Sequence, residues 1–208
     1  MVWLALFLNL FAFGTQSLLE AYDLREGSCE EFNDEVKNRG LHDPEGNTHL
    51  NTLGWTVCKF NVETAKLPIQ KEGNCLKGDV SSAKFSSEQT VIIMRWDHRR
   101  YSITQACRLD LAKKEQAIRS HEAHHVEDCK AIAESANKSW DKSETHIVKV
   151  CSQPANLITK TLKSRMHDEL QGQLNKMGRD MEYRSRATHE RIGYGTSGLD
   201  CWVCGAQN

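Results

Sequence analysis

The chain has 208 residues and a formal net charge of −1, with 27 Lys and Arg residues against 28 Asp and Glu residues. A chain of this length favours one domain, and its balanced charge excludes partners recognised mainly by electrostatic attraction, namely nucleic acid and anionic membranes. Hydrophobic residues make up 39% of the chain, which is the composition of a protein with a core rather than of a disordered one.

The first 17 residues have the pattern of a secretory signal peptide. Residues 2–13 are uncharged and apolar apart from Asn9, and small residues follow them. This run is shorter than the roughly 20 apolar residues that span a bilayer. We therefore expect residues 1–17 to be a leader, residues 18–208 to form one domain, and the mature protein to be secreted, or periplasmic in a bacterium, without stable membrane insertion.

All eight cysteines follow this leader. An even number of cysteines in a secreted chain favours up to four disulfides, although eight cysteines allow 105 pairings. The last two are spaced C-x-x-C, as in redox dithiols, but the βαβ context of such sites is missing, so structural disulfides are favoured over a dithiol oxidoreductase. The candidates are Cys29, Cys58, Cys75, Cys107, Cys129, Cys151, Cys201 and Cys204.

The predicted elements divide the domain into a strand-rich half, residues 18–105, and a helical half, residues 106–208. Ser28 is positioned to cap a short helix over residues 29–39, and a strand follows over residues 55–62. The serine-rich residues 81–87 and Gly78 indicate loops. Residues 90–96 have the strongest strand pattern in the chain. They form either an edge strand that pairs with an extended peptide or a buried central strand.

Two long helices are predicted in the second half. The first covers residues 107–139, and it contains the sequon Asn137-Lys138-Ser139, which is a glycosylation acceptor if the source is eukaryotic. The second begins near Pro154 and ends in the middle 180s. Its apolar stripe recurs at three- and four-residue steps and predicts core packing, with the members Ile158, Leu162, Met166, Leu170, Leu174, Met177 and Met181.

Residues 121–125 read His-Glu-Ala-His-His, an H-E-x-x-H motif inside the first predicted helix. His121 and His125 are four residues apart, so both imidazoles face the same side and can bind one Zn²⁺ ion. Glu122 lies about 60° from His125 around the helix axis, close enough to act as a general base on a water at that ion. The alternative is a surface helix that carries histidines. Cys129 shares the face of His125, but a disulfide is favoured there over a metal bond.

A catalytic zinc site takes a third protein ligand and keeps one open position. Glu144 follows His125 at about the sequence distance used in thermolysin-like sites, and His146 stands close to it. His189, at the end of the second long helix, is the remaining candidate. Spacing alone favours Glu144 and leaves the other two open.

Several short motifs are shared with one known family. They are Tyr22, Gly27-Ser28, Gly54-Trp55, Cys58 through Leu67-Pro68, Trp96, residues 121–125, and Tyr183 with Thr188-His189. In these motifs the chain resembles a family of secreted bacterial proteins that are predicted to be zinc-dependent proteases. It departs from their pattern in having Thr188 and His189 adjacent and in its additional cysteines.

The resemblance implies a zincin-like α+β fold, in which a small N-terminal sheet packs on the H-E-x-x-H helix and on a second long helix. It also implies a zinc peptidase with His189 as third ligand, ahead of Glu144 and His146. Tyr183 is then either a donor to the oxyanion or a core residue. The expected partner is a peptide or protein substrate, the expected state a monomer. The alternative function is a disulfide-rich secreted binding or effector protein whose metal site is structural or inert.

Overall fold

The computed structural model describes residues 17–24, 28–42, 46–50, 52–64, 67–96, 103–141, 146–151, 154–192 and 201–204. Residues 1–16 of the predicted leader lie outside them. The described chain is a mixed α+β fold. Its helices are α1 (Cys29–Asn38), α2 (Gln105–Trp140), α3 (Ala155–Ile192) and α4 (Cys201–Cys204). Its strands are β1 (Ser17–Leu24), β2 (Leu41–His42), β3 (Thr48–His49), β4 (Gly54–Glu63), β5 (Ile69–Glu72), β6 (Cys75–Asp79), β7 (Lys84–Trp96) and β8 (Ile147–Cys151).

The main sheet has the strand order β1-β7-β4, with β1 parallel and β4 antiparallel to β7. The edge-strand interpretation of residues 90–96 is therefore wrong, because β7 lies between two other strands. Three successive residues, Val91, Ile92 and Ile93, are all buried. A strand that is covered on both faces has such a continuous apolar run, whereas a half-exposed strand alternates. Strand β4 is one of the two edge strands of this described sheet, and it contacts α2.

A second sheet, ordered β5-β6-β8, joins the two halves of the chain. Strands β5 and β6 form a hairpin whose turn contains Gly73 at φ +60°, a conformation that glycine adopts without steric cost. Strand β8 comes from the helical half and pairs with β6. The loop predicted at Gly78 is wrong, since this residue lies in β6. The predicted loop over residues 81–87 is wrong in its second part, since β7 begins at Lys84.

Helix α1 begins at the predicted cap, and α2 begins at a second capping residue. Ser28 and Glu31 form a reciprocal capping box at the start of α1. Thr104 caps α2, where its hydroxyl accepts a hydrogen bond from the backbone N–H of Cys107. Helix α3 is longer than predicted and continues to Ile192.

Two buried clusters hold these elements together. The first lies between the main sheet, α1 and the first half of α2, and includes Phe32, Ile92 and Ile118. The second lies between the second half of α2, α3 and the second sheet. The predicted stripe of α3 belongs to it: Leu162, Met166, Leu170 and Met177 are buried, and Ile158, Leu174 and Met181 are partly buried. That prediction is confirmed.

All eight cysteines are paired, as Cys29–Cys201, Cys58–Cys129, Cys75–Cys151 and Cys107–Cys204. The prediction of four disulfides is confirmed, and Cys201 and Cys204 each bond to a distant residue rather than form a redox dithiol. Four disulfides are typical of proteins from oxidising compartments. Among the described helices, none combines the length and apolar character needed to cross a membrane.

The sequon residue Asn137 has a structural role in the fold. Its side-chain amide accepts a hydrogen bond from the backbone N–H of Phe85 and donates one to the carbonyl of the same residue, both at 2.8 Å. Phe85 lies on β7 beyond the end of its pairing with β1, which starts at Gln89. The amide therefore takes the place of a neighbouring strand for the backbone of Phe85.

Candidate metal centre

Three histidines from two helices meet at one point. His121 and His125 lie one turn apart on α2, and His189 lies near the end of α3. The Nε2 atom of His125 is 3.2 Å from Nε2 of His121 and 3.3 Å from Nε2 of His189. The predicted ligand pair is thus brought together with His189, the third ligand that the family resemblance implied.

The spacing of these nitrogens fits a tetrahedral ion. Bonds of about 2.0–2.1 Å at tetrahedral angles place ligand nitrogens about 3.3 Å apart. His121 and His125 are buried, and His189 is partly buried. The ring of His125 stands at 76° and 73° to the rings of His121 and His189, which are themselves nearly parallel at 7°. Within the described residues, these three side chains form a group able to hold a metal ion.

The surroundings keep the imidazoles neutral. Burial and the neighbouring histidines together lower the pKa of His125 to about 4, while Asp128 acts in the opposite direction. Burial also lowers the pKa of His121, with a contribution from His189, and burial lowers the pKa of His189 itself. A neutral imidazole has a free lone pair, which is the form that binds a metal. The buried Nδ1 of His125 has no hydrogen-bond partner among the described residues.

Glu122 lies beside the histidines and is only 4% exposed. Its carboxyl atom Oε2 accepts a hydrogen bond of 2.7 Å from the hydroxyl of Thr56 on β4. Burial raises the pKa of Glu122 to about 7, while the bond from Thr56 acts in the opposite direction. A carboxyl group with a pKa near neutrality is suited to accept and return protons.

Glu122 and the three histidines open into one cavity of about 440 Å³. The rest of its described lining carries no charged side chain, and it includes Leu50, Trp55, Ile118 and Met181. A wider groove continues between β4 and α3, where Glu182 and Arg186 supply charges. The cavity therefore has a polar centre with largely apolar walls and a charged outer part.

Asp128 fixes α3 against α2 next to the histidines. Its carboxylate accepts hydrogen bonds from the hydroxyl of Thr188 at 3.3 Å and from the guanidinium of Arg184 at 3.4 Å. Thr188 is buried and directly precedes His189. Residues late in α3 thus contact the middle of α2, the pattern of antiparallel neighbours, and this packing brings His189 to its place.

Cys129 lies one turn beyond His125 on α2. It is fully buried and bonded to Cys58 of β4, so the disulfide interpretation of this residue is confirmed. Its sulfur also contacts that of Met181 on α3 at 3.7 Å. The disulfide therefore joins α2 to β4 beside the residues that form the site.

The other candidate ligands have different positions. His146 is buried, but its ring stacks on Trp140 and its Nε2 is 2.8 Å from the carbonyl oxygen of Trp140, so it is not part of the cluster. Glu144 lies outside the described residues. Tyr183 is 76% exposed. The core interpretation of Tyr183 is therefore wrong, and this residue is not among those that line the cavity.

Sequence reasoning missed two residues of this site. Thr56 lies in the predicted strand over residues 55–62, but no sequence pattern shows which residue of another element its side chain contacts. Asp128 has no lysine or arginine three or four residues away in its own helix that would mark it as part of an ion pair. In each case the partner is remote in sequence, more than 50 positions away.

Comparison of the chain with protein-family models, with curated proteins and with solved structures finds no match. The likeness to secreted zinc-dependent proteases therefore remains an expectation from short motifs. The assignment of a function rests on the site itself.

Proposed function

We propose that the protein is a secreted zinc metallopeptidase that hydrolyses peptide bonds. The observation that carries this proposal is the position of the His125 Nε2 atom, 3.2 Å from that of His121 and 3.3 Å from that of His189, beside the buried carboxyl of Glu122. His121, His125 and His189 would hold the ion. Three nitrogen ligands together with an adjoining cavity are typical of catalytic zinc sites, whereas structural sites have four protein ligands.

Zinc, when bound, would lower the pKa of a coordinated water towards about 7 and polarise the carbonyl of the substrate. Glu122 takes a proton from the water while the oxygen of that water attacks the carbonyl carbon of the substrate. Because Oε2 accepts the bond from Thr56, Oε1 is the atom left to carry this proton. Glu122 then returns the proton to the amide nitrogen as the C–N bond breaks, which gives a carboxylic acid and an amine, and the acid then loses its proton to solvent.

The groove between β4 and α3 favours a substrate that binds as an extended peptide. Strand β4 is one of the two edge strands of the described sheet, and its residues Trp55 and Thr56 line the cavity. An extended peptide could add to this edge through main-chain hydrogen bonds. The part of the substrate nearest the scissile bond would meet uncharged walls, since the described cavity lining has no charge outside the histidines and Glu122.

The test is Glu122→Gln in the full, disulfide-bonded, zinc-loaded protein, with a quenched-fluorescent peptide library as substrate. We expect zinc to remain bound at one equivalent, because Glu122 is not in the histidine cluster, and cleavage to fall by about 100-fold or more. Glu127→Gln, an exposed glutamate on the same helix, is the matched control and should cleave as the wild type does.

If the zinc-loaded wild type cleaves no library peptide, or if Glu122→Gln cleaves as fast as the wild type, the peptidase proposal is wrong. A protein that binds zinc without cleavage would instead fit the secreted binding or effector protein.

A further inference from the structure

Strand β4 contacts Glu122 through the side chain of Thr56. The Thr56 hydroxyl lies 2.7 Å from Oε2 of Glu122 and 3.4 Å from the backbone carbonyl oxygen of the same residue. Among the described residues, Thr56 is the hydrogen-bond donor that the structure gives to this carboxyl group. The Thr56 hydroxyl thus contacts both the main chain and the carboxyl group of Glu122. These two contacts restrict the conformation of the Glu122 side chain.

The other carboxyl oxygen lies against the backbone of Gly54. A Cβ atom at position 54 would be 2.8 Å from Oε1 of Glu122 and 2.5 Å from Cγ2 of Ile118. These distances are shorter than van der Waals contact, so any larger residue would have to displace the side chains of Ile118 and Glu122. Glycine at this position therefore allows the close approach that brings Thr56 within hydrogen-bonding distance of Glu122.

This part of β4 is held firmly on both sides. Gly54 and Thr56 pair with Ile93 and Val91 of the buried central strand. Two residues after Thr56, Cys58 is bonded to Cys129 of α2. A hydrogen-bond donor anchored in this way keeps its direction, which is the requirement for orienting a catalytic group.

We infer that Thr56 is a positioning residue for proton transfer by Glu122, an inference that rests on the proposed peptidase function. Its hydroxyl holds Oε2, so that the carboxyl group at the cavity wall keeps one orientation. Loss of this donor leaves a buried carboxyl group without its partner and free to adopt other rotamers. Partner residues of this kind typically contribute about 10–100-fold to activity.

The kinetic test compares Thr56→Val with Thr56→Ser in the zinc-loaded protein and the same peptide library, followed by one cleaved peptide from it. We expect the valine variant to lose about 10–100-fold in kcat with little change in KM and in zinc affinity. The serine variant keeps the hydroxyl and should recover most of the activity. Thr90→Val, on the neighbouring central strand and opposite Val57, is the control and should behave as the wild type does.

A second test needs no metal and no substrate. In the metal-free protein, Thr56→Val should lower the midpoint of thermal unfolding by about 3–8 °C, because it removes a donor to a buried carboxyl group. In the background of Glu122→Met, which replaces the carboxyl by an apolar group, the same change should have little effect. This double-mutant cycle reports the contact between the two side chains directly.

The outcomes separate the two proposals. If Glu122→Gln abolishes cleavage but Thr56→Val retains the kcat of the wild type, Thr56 does not position Glu122, and the peptidase function stands. Equal destabilisation by Thr56→Val in both backgrounds also contradicts the inference. If Thr56→Val fails to bind zinc, Thr56→Ala takes its place beside Thr56→Ser in both tests.

Discussion

At the scale of single residues, His189 is the candidate ligand that links the two long helices. His121 and His125 are brought together by one turn of α2, whereas His189 reaches them through the packing of α3. The removal of His189 leaves two nitrogen ligands, which bind zinc far more weakly than three.

We predict that His189→Ala lowers the affinity for zinc by at least about 100-fold, since even residues that only support a ligand contribute about 10–100-fold. The measurement is competition with a chromophoric zinc chelator. His167→Ala, an exposed histidine on the same helix, is the control and should retain the affinity of the wild type. Equal affinities for His189→Ala and the wild type would show that His189 is not a ligand.

The residues of the site differ in how far the sequence predicts them. His121, Glu122 and His125 are predictable, because four-residue spacing in a helix is a local property. His189 is not predictable from the residues alone, since the spacing from His125 favours Glu144 as the third ligand and only the family resemblance favours His189. Thr56 has no sequence signal, because its partner is set by how β4 packs on α2.

At the scale of elements, Asn137 shows how a helix can complete a sheet. Its amide is bonded to both backbone groups of Phe85, at a point where β7 extends beyond its pairing with β1. Buried backbone N–H and C=O groups that are left without hydrogen-bond partners destabilise the folded state. The bond also aligns the second half of α2 with the central strand.

We predict that Asn137→Ala lowers the free energy of unfolding by about 2 kcal/mol, because two backbone groups lose their partner. Zinc affinity should be unchanged, since Asn137 lies three turns beyond His125 on α2. Chemical denaturation measures the first quantity. Asn175→Ala, on the exposed side of α3, should cost less than about 0.5 kcal/mol. Similar losses for both variants would contradict the role assigned to Asn137.

Elements with a local signal were predicted well. The start of α1 follows from Ser28, and the stripe of α3 follows from its period. The start of β7 was missed because Ser86 and Ser87 have weak strand propensity, which pairing with β4 overrides. The pairing of β8 with β6 joins distant parts of the chain and has no local signal.

At the scale of the whole molecule, the fold has supports that are independent of a metal. Two buried clusters hold the sheets and helices, and four disulfides close loops with sequence separations from 71 to 172 residues. Disulfides that close loops of this size typically stabilise a protein by about 2–4 kcal/mol each. The pairings themselves could not be predicted, because eight cysteines allow 105 arrangements until the fold is known.

We therefore predict that the metal-free protein stays folded and that zinc adds stability by mass action. At free zinc about 100-fold above its dissociation constant the gain is about 2.7 kcal/mol, which is about 5–11 °C in the unfolding midpoint. Calorimetry with and without a chelator measures this shift, and His121→Ala should abolish it. Unfolding of the chelated wild type at room temperature would mean that the metal is structural.

The most direct test of the metal centre is X-ray absorption at the zinc edge of the purified, zinc-loaded protein. The arrangement of His121, His125 and His189 predicts one zinc per chain, with three imidazole nitrogens and one further light atom at about 2.0–2.1 Å. A spectrum with fewer than three imidazoles, with a sulfur ligand at about 2.3 Å, or with no stoichiometric zinc would contradict this site.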